Sequence, residues 1–322
     1  MLENSNLHCL SAQSNVPSIL SPVLIVEFLL GIPGNVVALW IFCFRMKARR
    51  PSMVYLLNLV LADFLLILSL PFRIDNLLRG EHWVFGDPFC RINLFMLAAN
   101  RSASISFMTV VAVERYFKIV HPHHRINRLS VKQAAVMSCV VWALTLCLRI
   151  PLLTSQLLQE HNGTFLCRSF SSYKKLPTEI HLHYLLYVVE FILPFSVLLF
   201  CTIKITWVLK HQSMNRDWKI RHAIRVVVVI TLVFAMCFGP GIVAGLTALL
   251  IKWFSPEDCA SFRVVSEWFN ASIAFTYLNS VLDPLIYCFS STMFRNTLKK
   301  SINCVGLCQL EVSRSDSVTS IT

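Results

Sequence analysis

Seven long apolar runs organise the chain, at 19–44, 53–78, 88–119, 131–153, 181–210, 221–252 and 263–288. Each exceeds the roughly 20 helical residues needed to cross a hydrocarbon core about 30 Å thick. A bilayer offers no water to open backbone groups, so runs of this length are confined to helices. The expectation is an all-α membrane protein: a seven-transmembrane helix bundle over 19–288, with a polar stretch at 1–18 before it. An amphipathic membrane-surface helix at 289–303 and a tail at 304–322 follow. The 322 residues are 56% hydrophobic and only 14% charged, whereas a soluble domain carries about a quarter charged residues. No internal repeat divides the chain, so one domain is expected.

The formal charge of +12 falls in alternate loops. Arg45, Lys47, Arg49 and Arg50 follow the first run; Lys118, Arg125, Arg128 and Lys132 follow the third. Lys210, Arg216, Lys219, Arg221 and Arg225 follow the fifth, and Arg295, Lys299 and Lys300 the seventh. That alternation marks cytoplasmic loops and puts the N-terminus outside in a multi-pass plasma-membrane protein. It argues for anionic lipid rather than nucleic acid as the surface these charges meet. Residues 1–18 lack the basic and apolar regions of a cleaved signal, so the first span is expected to act as its own insertion signal.

Of twelve cysteines, Cys9, Cys90, Cys167 and Cys259 fall on the outer side. Four cysteines allow three pairings. Cys90–Cys167 with Cys9–Cys259 is favoured, two unpaired thiols at Cys9 and Cys259 being the alternative. Asn162-Gly-Thr164 is a glycosylation sequon in the second outer loop, whereas Asn100-Arg-Ser102 lies inside a span. Past the seventh run, Phe294 and Leu298 sit four apart with Arg295, Lys299 and Lys300 alongside, the pattern of a helix lying on the membrane. Cys304 and Cys308 are candidate palmitoylation sites. Hydroxyls in SRSDSVTSIT offer phosphorylation sites that would recruit an arrestin.

One landmark per span makes the chain resemble a class A (rhodopsin-like) G protein-coupled receptor. These are Gly34-Asn35, Leu61-Ala62-Asp63, Glu114-Arg115-Tyr116, Trp142, Pro194, Cys237-Phe238-Gly239-Pro240 and Asp283-Pro284-Leu285-Ile286-Tyr287. The resemblance implies a sodium ion as allosteric ligand at Asp63, with Ser104, Asn279, Ser280 and Asp283 around it, and no other cofactor or metal. A plain polar network tying helices 2, 3 and 7 is the alternative. It implies switch roles for Glu114, Arg115, Tyr116, Phe238, Pro240 and Tyr287, and a heterotrimeric G protein as partner. Three positions depart from the family pattern: Phe238 for tryptophan, Thr202 for tyrosine, and Ile220 for an acid at the start of helix 6. Pro194, Pro240 and Pro284 each remove a helical hydrogen bond and mark pivots.

Within RINLFMLAANRSASISFMTVVAVERY, Arg101 shares a helical face with Ser104, Met108 and Arg115. It therefore points into the bundle, about three turns below Cys90. A charge at that depth is costly and marks a functional site. Arg101 with Ser102-Ala103-Ser104, together with PVLIVEFLLGIPGN, IFCFRMK, IVHPHH, VVEFILPF and FTYLNSVLDPLIYCFSS, resembles the hydroxycarboxylic acid receptors and the neighbouring oxoeicosanoid receptor. By that resemblance Arg101, Tyr277 and Ser169 bind a ligand carboxylate. A guanidinium takes a carboxylate through two parallel hydrogen bonds, which lysine cannot match. Arg73 and Arg149 are secondary ligand candidates, with snorkelling to the headgroups as their alternative. The rival for Arg101 is a structural pair with Glu190, leaving a receptor for another ligand class.

The implied function is a receptor for an anionic monocarboxylate, a hydroxycarboxylic acid or an oxo-fatty acid, signalling through the inhibitory G protein class. A lactate-sized acid of about six heavy atoms reaches at most about 9 kcal/mol, roughly micromolar; a fatty tail would add to this. A small-anion transporter is the alternative from another class, though its usual repeated halves are missing. No lysine lies between Phe262 and Phe289 to carry a retinal. No enzyme motif stands out, and His121, His123 and His124 read as loop residues beside Pro122.

Overall fold

The computed structural model describes residues 16–45, 50–161, 163–167, 178–211, 218–255 and 257–305. The expected spans form α1 (Val16–Trp40), α2 (Pro51–Leu78), α3 (Gly86–Val120), α4 (Val131–Arg149), the single-turn α5 (Pro151–Thr154), α6 (Thr178–His211), α7 (Trp218–Phe254) and α8 (Cys259–Ser290). The surface helix is α9 (Thr292–Val305). The fourth apolar run is thus split. Pro151 has no N–H to continue the ladder, so the Ile150 N–H takes the Cys147 carbonyl at 3.3 Å and the chain restarts as α5.

Six of these segments are long and apolar enough to cross a membrane by length and hydropathy alone. The remaining one, α8, is diluted by polar residues turned inward: Ser272, Asn279, Ser280 and Asp283 are all buried. Leu29, Val136, Leu144, Leu193, Ile203 and Leu232 lie exposed on the outside of the bundle, the surface that lipid covers in a membrane protein.

Local chemistry fixes the helix starts. Pro51 opens α2. A reciprocal box opens α4: Ser130 Oγ accepts the Gln133 N–H and Gln133 Oε1 accepts the Ser130 N–H. Asp258 caps α8 by accepting the Ser261 N–H at 3.1 Å, and that hydrogen bond holds its carboxyl below the usual range. Pro194, Pro240 and Pro284 all lie inside continuous helices. Phe294 pins α9 to the bundle, stacking on Phe42 at 5.1 Å and meeting Tyr287 edge-on at 6.0 Å.

α3 runs through the middle, packing on α2, α4, α6 and α7. At one end the chain after α5 forms a hairpin of β1 (Leu158–His161) and β2 (Thr164–Cys167), Leu158 opposite Cys167. The sequence predicts only an outer loop here. It is held by the Cys90–Cys167 disulfide and by the Trp83 N–H on the Phe165 carbonyl at 2.8 Å. Cys259 is also disulfide-bonded. Its expected partner Cys9, with Ser169, Asn162 and Cys308, lies outside the described residues. Cys304 falls in α9.

Candidate functional site

The disulfide end of the bundle holds a cavity of about 810 Å³, counting its mouth. It is bounded by α2, α3, α4, α6 and α8, with Cys167 of β2 on its rim. Three arginines from three helices line it: Arg73 of α2, Arg101 of α3 and Arg149 of α4. All are buried, at 5%, 5% and 1% exposure. Snorkelling of Arg73 and Arg149 to the headgroups is therefore ruled out. α4 ends at Arg149, and the bundle interior rather than the interface is what that side chain reaches.

Arg149 makes the close ion pair with Glu190 of α6 through Nη2 and Oε2. Ser102 knits that pair together: its hydroxyl donates to Glu190 Oε2 at 2.8 Å and accepts from Arg149 Nε and Nη2 at 3.2 and 2.8 Å. Arg101 comes only to 3.9 Å from the same Glu190 oxygen, beyond hydrogen-bonding distance. Its guanidinium lies instead on the Tyr187 ring, 3.8 Å from the centroid, and donates to the Tyr187 carbonyl at 3.3 Å. A cation over a desolvated ring gains about 2 kcal/mol. The alternative Arg101–Glu190 pair does form, at 3.9 Å, but Glu190 also pairs with Arg149. Two guanidiniums share one carboxylate, and the arrangement keeps a net positive charge facing the cavity.

Leu94, Leu97, Ala98, Phe269 and Ile273 supply the apolar wall, while Asn93, Asn270, Ser272 and Thr276 put amides and hydroxyls beside the arginines. Tyr277 does not line the cavity. It is buried at 1% in a cluster with Leu24, Leu66 and Leu70, near enough to Arg73 and Glu27 to feel their charge.

Below the cavity a second polar centre closes on Asp63, fully buried in α2. Its oxygens accept from Ser280 and Tyr287 at 2.8 Å each, from Ser104 at 3.4 Å and from Asn100 at 3.5 Å. Asn279 donates to Asp283 at 3.1 Å, Asp283 lies against Asp63 as a side-chain hydrogen-bonding neighbour, and the Asn279 side-chain amide oxygen lacks a hydrogen-bond partner. The expected five residues are thus brought together. Asn100 and Tyr287 join them, and Asn35 braces Ser280 through its carbonyl at 2.8 Å. Asn100 was discoverable, since it lies one turn before Ser104 on the same helix.

At the α9 end, Glu114 accepts from Lys118 Nζ at 2.6 Å and exerts its charge on the adjoining Arg115. Tyr116 bonds His121 at 3.2 Å. Where the family pattern expects a tyrosine, Thr202 of α6 instead bonds Thr231 of α7 at 2.9 Å. Phe238 stands 5.7 Å below the Arg101 guanidinium and 5.2 Å from Phe234, so aromatic rings lead from the cavity into the core. Pro240 lies two residues on, inside α7.

Sequence reasoning missed Ser102 and Tyr187, and it ranked Arg149 below its place in the charge cluster. Ser102 carried a signal, a hydroxyl beside a buried arginine. Tyr187 carried none, because its backbone carbonyl and ring face meet Arg101 only through the packing of α6.

Comparison with known proteins bears on what this arrangement is. The profile of the family described as 7 transmembrane receptor (rhodopsin family) matches residues 34–287. The chain is 42% identical over 296 residues to human hydroxycarboxylic acid receptor 2, covering 92% of this chain and 80% of the relative. It is 41% identical to human hydroxycarboxylic acid receptor 1, covering 94% and 84%, and 39% identical to human oxoeicosanoid receptor 1, covering 88% and 72%. These relatives are receptors rather than enzymes, two of them named for hydroxycarboxylic acids. An internal charge cluster under a disulfide-braced hairpin, a buried aspartate network below it and a matching profile across the spans identify this chain as a member of the rhodopsin family of seven-transmembrane receptors.

Proposed function

We propose that this receptor responds to a short anionic carboxylic acid at the extracellular face, with Arg101 as the primary carboxylate anchor, and signals through the inhibitory G protein class. The observation that carries this reading is the shared acid: Glu190 hydrogen-bonds Arg149 and Ser102 and stands 3.9 Å from Arg101, which retains donors for an incoming carboxylate. The relatives are named for hydroxycarboxylic acids and an oxoeicosanoid. Asn270 and Thr276 beside the arginines offer the hydroxyl of a short hydroxy acid polar partners that a hydrocarbon tail would not use. Ser169 and Tyr277 are proposed as ligand contacts by resemblance. For Tyr277 this needs some inward movement from its place beside Arg73.

The same reading puts the N-terminus outside, glycan on Asn162, palmitate on Cys304 and Cys308, and basic residues of the inner loops and α9 against anionic lipid. Arrestin is the proposed partner of the phosphorylated tail. Sodium is the proposed occupant at Asp63. Its network of oxygens, with two neighbouring carboxyl groups and an unpartnered amide oxygen on Asn279, has the oxygen-only chemistry that hard cations select.

The test is a panel of hydroxy acids, ketone bodies and oxo-fatty acids, read as lowering of cAMP in transfected cells with surface expression measured. Arg101→Ala should raise the half-maximal concentration at least about 30-fold, since removing one side of a desolvated charge pair costs about 2 kcal/mol or more. Arg101→Lys should rescue little of it. An unchanged curve for the alanine variant, or silence of the wild type to every acid, would overturn the reading.

A further inference from the structure

The turn between α2 and α3 meets the hairpin through a bond that depends on protonation. Gly80 and Glu81 both adopt left-handed backbone, at φ 66° and 67°, and the bend they make sets His82 and Trp83 beside β2. Alternate residues of an antiparallel strand turn their N–H and C=O away from the partner strand. Phe165 of β2 is such a residue, paired with Glu160 of β1 but bonding outward with both groups. Its carbonyl accepts the Trp83 N–H at 2.8 Å, and its N–H donates to His82 Nδ1 at 3.2 Å. The two bonds differ in kind. Trp83 is 1% exposed, gives its indole N–H to the Gly86 carbonyl at 2.8 Å, and packs with Cys90 and Cys167, so its half of the latch is fixed. The His82 half requires a lone pair on Nδ1, which places the proton of the neutral ring on Nε2. An imidazolium carries N–H on both nitrogens, so Nδ1 would then turn a donor toward the Phe165 donor and the bond is lost.

We infer that His82 is a positioning residue for the ligand cavity: its neutral imidazole latches the hairpin whose end, Cys167, forms the cavity rim, and protonation in an acid medium releases it. The geometry fixes the direction. The bond is present while the ring is neutral and is lost as pH falls through the range, between about pH 5 and 8, in which imidazole takes up its proton. Among the described residues, the other ionisable groups on the segments that meet here are Glu81, adjacent in the chain, Glu160 and His161 on β1, and the pairs Arg79–Asp75 and Arg91–Asp87. β2 has none, Cys167 being held in the disulfide. The effect on potency rests on the carboxylate reading above and on this end facing the medium; the latch itself does not.

Hydrogen exchange on the purified, unliganded receptor tests the latch without a ligand. The peptide containing Thr164–Cys167 is followed at about pH 7.5 and about pH 5.5, with labelling times scaled to cancel the intrinsic pH dependence of amide exchange. Protection of the Phe165 amide should fall about threefold or more at the lower pH. In His82→Asn the amide oxygen stands as many bonds from the backbone as Nδ1 does and accepts without titrating, so protection should stay level. His82→Ala, with no acceptor, should be poorly protected at both pH values, which covers an asparagine variant that fails to fold. Between the same two pH values, the potency of 3-hydroxybutyrate in cAMP lowering should weaken about threefold more in wild type than in His82→Asn, a comparison that cancels titration of the ligand and of the other groups. Equal protection of the wild type at both pH values, or an equal fall in the asparagine variant, would overturn the latch. A pH-sensitive hairpin with the same potency shift in both proteins would overturn its tie to the ligand. Silence to 3-hydroxybutyrate and to the rest of the acid panel would sink the carboxylate reading and leave the latch to stand or fall on the exchange result.

Discussion

At the scale of single residues, function turns on how one carboxylate is divided between two guanidiniums. Glu190 gives its Oε2 to Arg149 and Ser102 and stands 3.9 Å from Arg101. Taking the acid away should expose the conflict it resolves. Glu190→Gln leaves two buried cations facing each other, and breaking a buried pair costs about 3 kcal/mol or more. The purified, unliganded variant should therefore melt several degrees lower than wild type. A saturating carboxylate agonist should recover more of that loss than it adds to the wild type, because the ligand supplies the missing charge. Coincident melting curves with and without agonist in both proteins would mean that Glu190 is not the counter-charge. The sequence made Arg101 legible, since its spacing with Ser104 and Met108 fixed its face. It could not apportion Glu190, because the choice between Arg101 and Arg149 depends on side-chain reach across three helices.

At the scale of elements, the spans were legible because bilayer thickness leaves little freedom in helix length. The hairpin was not, because β1 and β2 are four residues each, too short to show an alternating pattern, and their pairing depends on a disulfide and on Trp83. The partner of Arg149 was not legible for a related reason: α4 is apolar on most sides, so its sequence did not reveal which face meets the bundle. Close helix approach also sets the floor of the cavity. At Gly241 of α7 an added Cβ would lie 2.6 Å from Tyr187 Oη and 3.2 Å from Ser272 Oγ. Gly241→Ala must push the Tyr187 ring, and with it the platform beneath Arg101, at a cost of about 1–3 kcal/mol. Carboxylate potency should fall by about three- to tenfold or more with surface expression retained. One turn on, a Cβ at Gly245 meets Tyr187 and Phe269 at 3.4 Å and beyond, so Gly245→Ala is the control and should shift potency by less than about twofold. Equal effects of the two substitutions would disprove the platform role of Tyr187.

At the scale of the whole molecule, two polar centres hang on consecutive residues of one helix. Asn100 reaches Asp63, Arg101 and Ser102 reach Glu190 or its neighbours, and Ser104 turns back to Asp63. A small rotation of α3 that tightens Arg101 on a ligand must also alter the oxygens around Asp63, while Ser280 and Tyr287 tie that carboxylate to α8. A sodium ion held there would favour the arrangement in which α2, α3 and α8 converge, and an agonist would favour one in which they do not. Linkage makes the antagonism reciprocal: sodium weakens agonist binding by the factor by which agonist weakens sodium binding. Replacing choline with sodium should therefore lower agonist affinity of the wild type by about fivefold, a coupling of about 1 kcal/mol. In Asp63→Asn the carboxylate charge is gone while an amide of the same shape still bonds Ser280 and Tyr287. The sodium effect should vanish there, with agonist affinity in choline little changed. Sodium sensitivity that persists in the asparagine variant would detach the ion from Asp63 and leave the buried network as a brace between helices.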